Sequence, residues 1–133
     1  MPIIVRLPLA SGVLSGKYTI MTQFPEKDHR NYNRDGAAFN VGETFAGIPY
    51  EKAVALCDEL KTFLPTGYTM AQMAQRWILD HKAVTTVITG ASKPEQVEDN
   101  AAVSDLTPLS PELHVRLRRF YDECIARHIR GPY

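Results

Sequence analysis

The most constraining feature of this sequence is the stretch of residues 86–100, where an apolar run passes through a tight turn into a helix. Val87 and Ile88 are β-branched and belong to a run too short for a helix, which predicts a short buried strand. Gly90 then permits a sharp turn of the backbone. We therefore expect a strand that feeds directly into a helix.

The start of that helix is marked by local sequence signals. Ser92 and Glu95 have the spacing of a capping box, and Pro94 stands inside the first helical turn. Free backbone N–H groups at such a helix start attract an anion, usually a phosphate. An ordinary strand–helix connection without a ligand is the alternative, and this stretch lacks the glycines of a phosphate-binding loop or a dinucleotide fingerprint.

Composition narrows the function classes. A chain of 133 residues is most simply one domain. Its 15 basic residues balance its 15 acidic residues, so no net field attracts nucleic acid or a membrane surface. No apolar run is long enough to span a bilayer. Cys57 and Cys124 lie far apart at apolar positions, as thiols of a reducing compartment do, and metal-ligand spacing is absent. We therefore expect a cytoplasmic protein without a metal, nucleic-acid or membrane site.

The first part of the chain predicts a strand and two loops. Residues 3–7 form a β-branched run ended by Pro8. In residues 8–18, small residues and glycines let a ligand approach the backbone, and Lys17 offers a positive charge; a turn-rich loop with a solvated lysine is the alternative. Residues 20–48 lack periodicity and predict a long lid-like or disordered loop, with aromatic residues that favour a lid ordered against a ligand or partner.

Three further helices are marked by their first residues. Pro49, Thr69 and Ser110 each precede a segment in which apolar residues recur at three- and four-residue spacing. Each helix is therefore expected to bury one face. The arginines of the last helix lie mostly outside its apolar face, and they suit the helix dipole better than a nucleic-acid site.

Three motifs, in this order, resemble those of aldo-keto reductases. Residues 4–18 (IVRLPLASGVLSGKY) are similar to the family's seventh-strand segment, and residues 70–79 (MAQMAQRWIL) to the helix before its eighth strand. Residues 89–100 (TGASKPEQVEDN) resemble the segment that holds the adenosine end of NADP. The resemblance implies an α/β fold, a partial (β/α)8 barrel with the last two strand–helix units plus the C-terminal helix, in one domain over residues 1–133. This is roughly the last two-fifths of a typical barrel.

The resemblance also implies a site for NADPH, formed by two loops. Arg6 stands where the family usually has an aromatic residue on the nicotinamide, and a guanidinium plane can also stack. The pyrophosphate would lie along the backbone of a short run and near one lysine: Pro8, Leu9, Ala10, Ser11, Gly12 and Lys17.

The second loop would hold the adenosine end of the cofactor. The residues expected near its 2′-phosphate and adenine edge are Gly90, Ser92, Lys93, Gln96 and Asn100. Asp99 replaces the family's usual glutamate and is one methylene shorter.

The residues that the family uses for catalysis have no matching positions here. In the family a hydride passes from NADPH to a carbonyl, while a tyrosine helped by lysine, aspartate and histidine protonates the oxygen. Those four residues belong to the first half of the barrel, so no catalytic residue is assigned.

The resemblance therefore implies the cofactor-binding C-terminal part of an NADPH-dependent carbonyl and alcohol oxidoreductase, inactive alone. The alternative is a non-catalytic, self-associating half-barrel that acts as a structural or interaction protein. Two strands alone leave exposed edges, so we expect a homo-oligomer or a complementary N-terminal half as partner.

Overall fold

Two parallel strands and the helices that connect and follow them make up the fold. The computed structural model describes residues 1–131. Strand β1 (Ile3–Val5) pairs with strand β2 (Val84–Val87), and the crossover between them contains helices α1 (His29–Tyr32), α2 (Tyr50–Lys61) and α3 (Met70–Leu79). Helices α4 (Pro94–Ala102) and α5 (Pro111–Phe120) follow. Because parallel strands require a long crossover, this order gives two strand–helix units and a C-terminal helix.

The helices begin close to the predicted residues. Thr69 caps α3: its Oγ1 accepts a hydrogen bond from the Gln72 N–H at 3.1 Å, and Gln72 Oε1 accepts one from the Thr69 N–H at 2.9 Å. Ser110 caps α5 through a 3.1 Å hydrogen bond from the Leu113 N–H. Pro49 stands immediately before α2. Local capping signals therefore located these helix starts.

The C-terminal helix is less regular than its apolar spacing predicts. The α-helix ends at Phe120, continues as a π-helical turn over Tyr121–Ile125, and ends in a 3₁₀ turn over Ala126–His128. The predicted single apolar face is thus divided among three backbone geometries.

The hydrophobic core lies among the helices and not on the sheet. It is formed by residues of α2, α3, α5 and the loops beside them. Its buried members are Val13, Phe45, Ile48, Tyr50, Ala53, Val54, Leu56, Cys57, Met70, Met73, Leu109, Leu113 and Phe120. Both cysteines are free thiols, with Cys57 buried and Cys124 half-buried.

The sheet is exposed where the sequence predicts burial. Ile4 and Ile88 are each 56% exposed, and Ile3 and Leu7 are more than two-fifths exposed. The prediction of a short buried strand before Gly90 was wrong, since Thr86 and Ile88 are exposed and Val87 is only half-buried. The described residues contain two strands, and no other element among them buries this small sheet, every residue of which is exposed or half-buried. Parallel sheets are normally covered on both faces.

Residues 20–48 contain more local structure than their polar composition predicts. They include α1 and 3₁₀ turns over Val41–Glu43 and Phe45–Gly47. Asn33 is fully buried, donates to Thr44 Oγ1 at 3.1 Å and accepts from the backbone N–H groups of residues 38 and 39 at 2.9 Å each. Whether the segment acts as a lid stays a prediction.

Within residues 1–131, none of the helices is both long enough and apolar enough to cross a membrane. The same part of the chain contains no group of three or more His, Cys, Asp or Glu side chains placed to hold a metal ion.

Candidate functional site

The two loops of the expected site leave the same edge of the sheet. β1 and β2 are parallel neighbours, and the Ile88 N–H donates to the Val5 carbonyl at 2.9 Å just beyond the end of β2. The loop after β1 and the loop after β2 therefore both start at the carboxyl ends of the strands. In parallel α/β folds this edge is where ligands bind.

The loop after β1 has an unusual backbone. Ala10 and Ser11 have φ values of 47° and 60°, and Gly12 has φ 92°. Non-glycine residues rarely adopt positive φ, and such strain clusters at functional sites. The N–H groups of Ala10 and Gly12 donate within the turn, to the carbonyls of Leu7 at 3.1 Å and Leu9 at 2.9 Å.

Some donors of this loop remain available. The backbone N–H groups of Leu9 and Ser11 donate to no acceptor within residues 1–131. Lys17 is exposed, and its ammonium group has no hydrogen-bond partner in the described part of the chain. These donors have the chemistry that a phosphate group requires.

Side chains of this loop hold the segment that follows α1. Ser11 Oγ donates to the Glu43 carbonyl at 3.3 Å and accepts from the Phe45 N–H at 3.2 Å. Arg6 forms an exposed ion pair with the Glu43 carboxylate at 3.4 Å. The guanidinium group that is predicted to stack on the nicotinamide is therefore paired with Glu43 in this structure.

Pro8 has a second environment besides the expected site. It lines an apolar cavity of about 410 Å³ together with residues of α3 and α5. Pro8 therefore faces unfilled apolar space beside the helices as well as the candidate site.

The loop after β2 is held by Gln96. Its Oε1 accepts hydrogen bonds from the Ser92 N–H at 2.7 Å, the Ser92 hydroxyl at 3.2 Å and the Lys93 N–H at 3.3 Å. The helix start is therefore capped by Gln96 and not by Glu95 as predicted, because α4 begins at Pro94, one residue later than a Ser92 cap requires. An anion at this position would replace the amide oxygen of Gln96.

The end of α4 is tied to this loop and to α3. Asn100 Nδ2 donates to the Gly90 carbonyl at 3.4 Å, and Asn100 Oδ1 accepts from the buried Gln75 at 3.0 Å. Gly90 is at the predicted turn, but it does not have positive φ and a Cβ atom there would meet no atom within 4 Å, so the turn does not use the conformational freedom of glycine. Asp99 is exposed, and its carboxylate has no partner within residues 1–131.

An open depression lies at the start of α4. It is lined by both a cation and a carboxylate, Lys93 and Glu98, together with Ser92 and Val97. The cation and the Ser92 donors favour an anion, whereas Glu98 opposes one.

Two polar clusters were not found by sequence reasoning. One joins Tyr18, Asp28 and Arg30 beside the first loop, and the other joins Arg76, Asp80 and partners far along the chain. Asp28 accepts two hydrogen bonds from one edge of the Arg30 guanidinium group, from Nε and Nη2, and this side-chain hydrogen bonding lowers the pKa of Asp28 to about 2. Each cluster contains one local pair, Asp28 with Arg30 and Arg76 with Asp80, but the fold alone brings in the distant partners, Tyr18 in the first cluster and His114 in the second.

The sequence of this chain matches a known protein family over most of its length. The family model described as "Aldo/keto reductase family" matches residues 1–122. L-glyceraldehyde 3-phosphate reductase of Escherichia coli K12 is 36% identical over 107 residues, which cover 80% of this chain and 30% of that protein. A probable voltage-gated potassium channel subunit beta of Arabidopsis thaliana is 34% identical over 107 residues, 77% of this chain and 29% of that protein. The chain thus spans about 30% of the length of these curated relatives.

Two solved structures of related enzymes share the fold of this chain over about a third of their own length. Glycerol dehydrogenase of Gluconobacter oxydans superposes with a TM-score of 0.69 at 26% identity, covering 99% of this chain and 36% of that chain. The holo form of an aldo-keto reductase from Bacillus halodurans superposes with a TM-score of 0.56 at 25% identity, covering 90% of this chain and 33% of that chain. The expected partial (β/α)8 barrel is confirmed.

Proposed function

The chain belongs to the aldo/keto reductase family, and we propose that it is the NADP(H)-binding part of a carbonyl and alcohol oxidoreductase. The observation that carries this proposal is the origin of both candidate loops at one edge of the sheet. A dinucleotide has two anionic groups to bind, its pyrophosphate and its 2′-phosphate. Each loop offers donors to one of them.

The donor set fits the cofactor. The free N–H groups of Leu9 and Ser11, with the ammonium group of Lys17, suit the pyrophosphate. Ser92 and Lys93 suit the 2′-phosphate, which would take over the hydrogen bonds that Gln96 now accepts. When bound, NADPH would supply the hydride. The remaining assigned residues stay proposals on the family resemblance: Arg6, Pro8, Ala10, Gly12, Gly90, Asp99 and Asn100.

We propose that these residues alone reduce no carbonyl. The acid of the family reaction has no matching position, and two of the tyrosines already donate their hydroxyl protons: Tyr50 to the Thr19 carbonyl at 2.6 Å, and Tyr68 to the Thr107 carbonyl. Reduction would then require the part of the barrel that precedes β1.

The exposed sheet supports a partner for this chain. Ile4 on β1 and Ile88 just beyond β2 are exposed, and the outer edges of both strands are unpaired in the described residues. A complementary N-terminal half that adds parallel strands would cover them. The alternative is self-association as a non-catalytic half-barrel, and relatives named as channel subunits agree with a role in assembly for some members of the family.

Calorimetric titration of the purified chain with NADPH and NADH tests cofactor binding. We expect saturable binding that prefers NADPH, and weaker NADPH binding by Ser92→Ala. Lys82→Ala is the control, because Lys82 is exposed and precedes β2 at the opposite edge of the sheet. Absence of binding at millimolar NADPH would contradict the proposal.

Light scattering after size exclusion tests the partner. Self-association through the sheet predicts that the purified chain is oligomeric and that the double substitution Ile4→Lys with Ile88→Lys makes the assembly smaller. Val115→Lys is the matched control, because Val115 is equally exposed but lies on α5. A well-folded monomer in the unsubstituted chain would contradict self-association through the sheet. NADPH oxidation with an aldehyde, gained only on adding a complementary N-terminal half, would favour the reductase over the structural alternative.

A further inference from the structure

We propose that the hydroxyl group of Tyr18 is a hydrogen-bond donor to a phosphate oxygen of a nucleotide on the loop of residues 8–12. This deepens the proposed function and depends on it. Neither the family resemblance nor the comparisons assign a role to Tyr18. The inference comes from the contacts of its hydroxyl group.

Arg30 leaves the Tyr18 proton unused. Arg30 Nη1 donates to Tyr18 Oη at 2.5 Å. A guanidinium group has no acceptor, so the tyrosine oxygen accepts this bond and keeps its own proton for another partner. That proton has no acceptor among residues 1–131. A cation behind the oxygen also makes the O–H group a stronger donor.

Arg30 itself is held in place. Its Nε and Nη2 donate to the two carboxylate oxygens of Asp28 at 2.9 and 2.6 Å. Its guanidinium plane lies 4.7 Å from the centre of the Phe24 ring, and the Tyr18 and Phe24 rings make an edge contact at 5.2 Å. The direction in which Tyr18 presents its hydroxyl is therefore fixed from several sides.

The hydroxyl lies against the candidate pyrophosphate loop. A Cβ atom on Gly12 would lie 2.6 Å from Tyr18 Oη, so glycine gives the phenol room to reach the backbone. The N–H groups of Leu9 and Ser11 belong to the same loop and have no acceptor in the described residues. A phosphate oxygen accepts hydrogen bonds both from hydroxyl groups and from backbone N–H groups, so it is the ligand atom that this set of donors fits.

The test compares two ligands and four proteins by calorimetry. NADPH carries the pyrophosphate, whereas adenosine 2′-monophosphate carries only the 2′-phosphate. We expect Tyr18→Phe to weaken the binding of NADPH about tenfold, because one charge-assisted hydrogen bond is lost, and to leave the binding of adenosine 2′-monophosphate unchanged. Ser92→Ala should weaken both ligands. Tyr32→Phe is the control, because Tyr32 is an exposed tyrosine on α1.

Each other outcome has a distinct meaning. Equal NADPH affinity of Tyr18→Phe and the unsubstituted chain overturns the role of Tyr18 and leaves the proposed function intact. A loss of both ligands by Tyr18→Phe shows a structural effect and also overturns it. Failure of the unsubstituted chain to bind NADPH overturns this inference and the proposed function together. Circular dichroism checks that the variants are folded, which the isosteric change to phenylalanine favours.

Discussion

The carboxylate of Asp80 connects α3 to the last part of the chain, and its removal should destabilise the protein strongly. Its Oδ1 accepts from Arg76 Nε at 2.7 Å, and its Oδ2 accepts from the Leu109 N–H and from His114 Nε2, both at 2.9 Å. Asp80 and Arg76 are only 7% and 12% exposed. Burial alone would raise the pKa of Asp80, but the hydrogen bonds from His114, Leu109 and Arg76 outweigh it and lower that pKa.

The expected loss follows from these contacts. A hydrogen bond to a charged group contributes about 1.5–3 kcal/mol, but the three bonds share one carboxylate and are not additive. Arg76 also keeps other acceptors, since its Nη1 reaches three carbonyls between 3.3 and 3.4 Å. We therefore expect Asp80→Ala to lower the free energy of unfolding by about 3 kcal/mol.

A second pair in the same chain provides the control. Arg118 and Asp122 are also four residues apart in sequence, with Arg118 Nε 3.3 Å from Asp122 Oδ2, but they are 72% and 54% exposed. Asp122→Ala should cost less than about 1 kcal/mol. Urea unfolding followed by Trp77 fluorescence, at one fixed protein concentration, measures both variants. Equal losses for the two variants would refute the role of burial and of the additional partners of Asp80.

Three further predictions concern stability. The hydrogen bonds from Arg30 lower the pKa of Asp28 from 3.8 to about 2, so the ionised carboxylate stabilises the folded protein above pH 4 and this stabilisation is lost as the pH falls to 2. In urea unfolding at a series of pH values, Asp28→Asn should remove about 2 kcal/mol of the stability that the unsubstituted chain loses over this range. Thr69→Ala should lower the free energy of unfolding by about 1 kcal/mol in the same assay, because it removes the cap of α3. Thr66→Ala is the control and should have little effect, because Thr66 is not the capping residue of α3. Gly12→Ala should lower the melting temperature more than Gly67→Ala, because both have positive φ but only the first methyl would meet Tyr18; equal shifts would contradict this.

Local sequence signals predicted the helices well and the polar clusters not at all. The starts of α3 and α5 depend on residues within one helical turn, so a short window of sequence contains the necessary information. Arg76 is a local partner of Asp80, but Leu109 and His114 lie 29 and 34 residues further along the chain, and only the packing of the segment that contains α5 brings them to Asp80. The predicted capping box of Ser92 and Glu95 failed for a smaller reason: α4 begins at Pro94, so Gln96 and not Glu95 is the third helical residue and bonds Ser92.

The candidate site was predictable from family motifs as a set of residues but not as an arrangement. The motifs gave the two loops, whereas strand pairing brings them to one edge. The engagement of Arg6 by Glu43 and of Ser92 by Gln96 has no signal in the sequence. Both contacts occupy groups that the cofactor would need, so binding would have to exchange internal hydrogen bonds for ligand contacts.

The exposed strands also bear on which partner covers them. Ile3, Ile4, Leu7 and Ile88 are between 43% and 56% exposed, so covering them would gain about 1 kcal/mol each, roughly 4 kcal/mol in total. Association costs at least about that amount in lost translational and rotational freedom. A dimer held by these four side chains alone would therefore be weak, even with new strand hydrogen bonds at the edges. Strands added at both outer edges by a complementary half of the barrel would bury more surface than these four side chains, and for this reason we propose that half over self-association through the sheet.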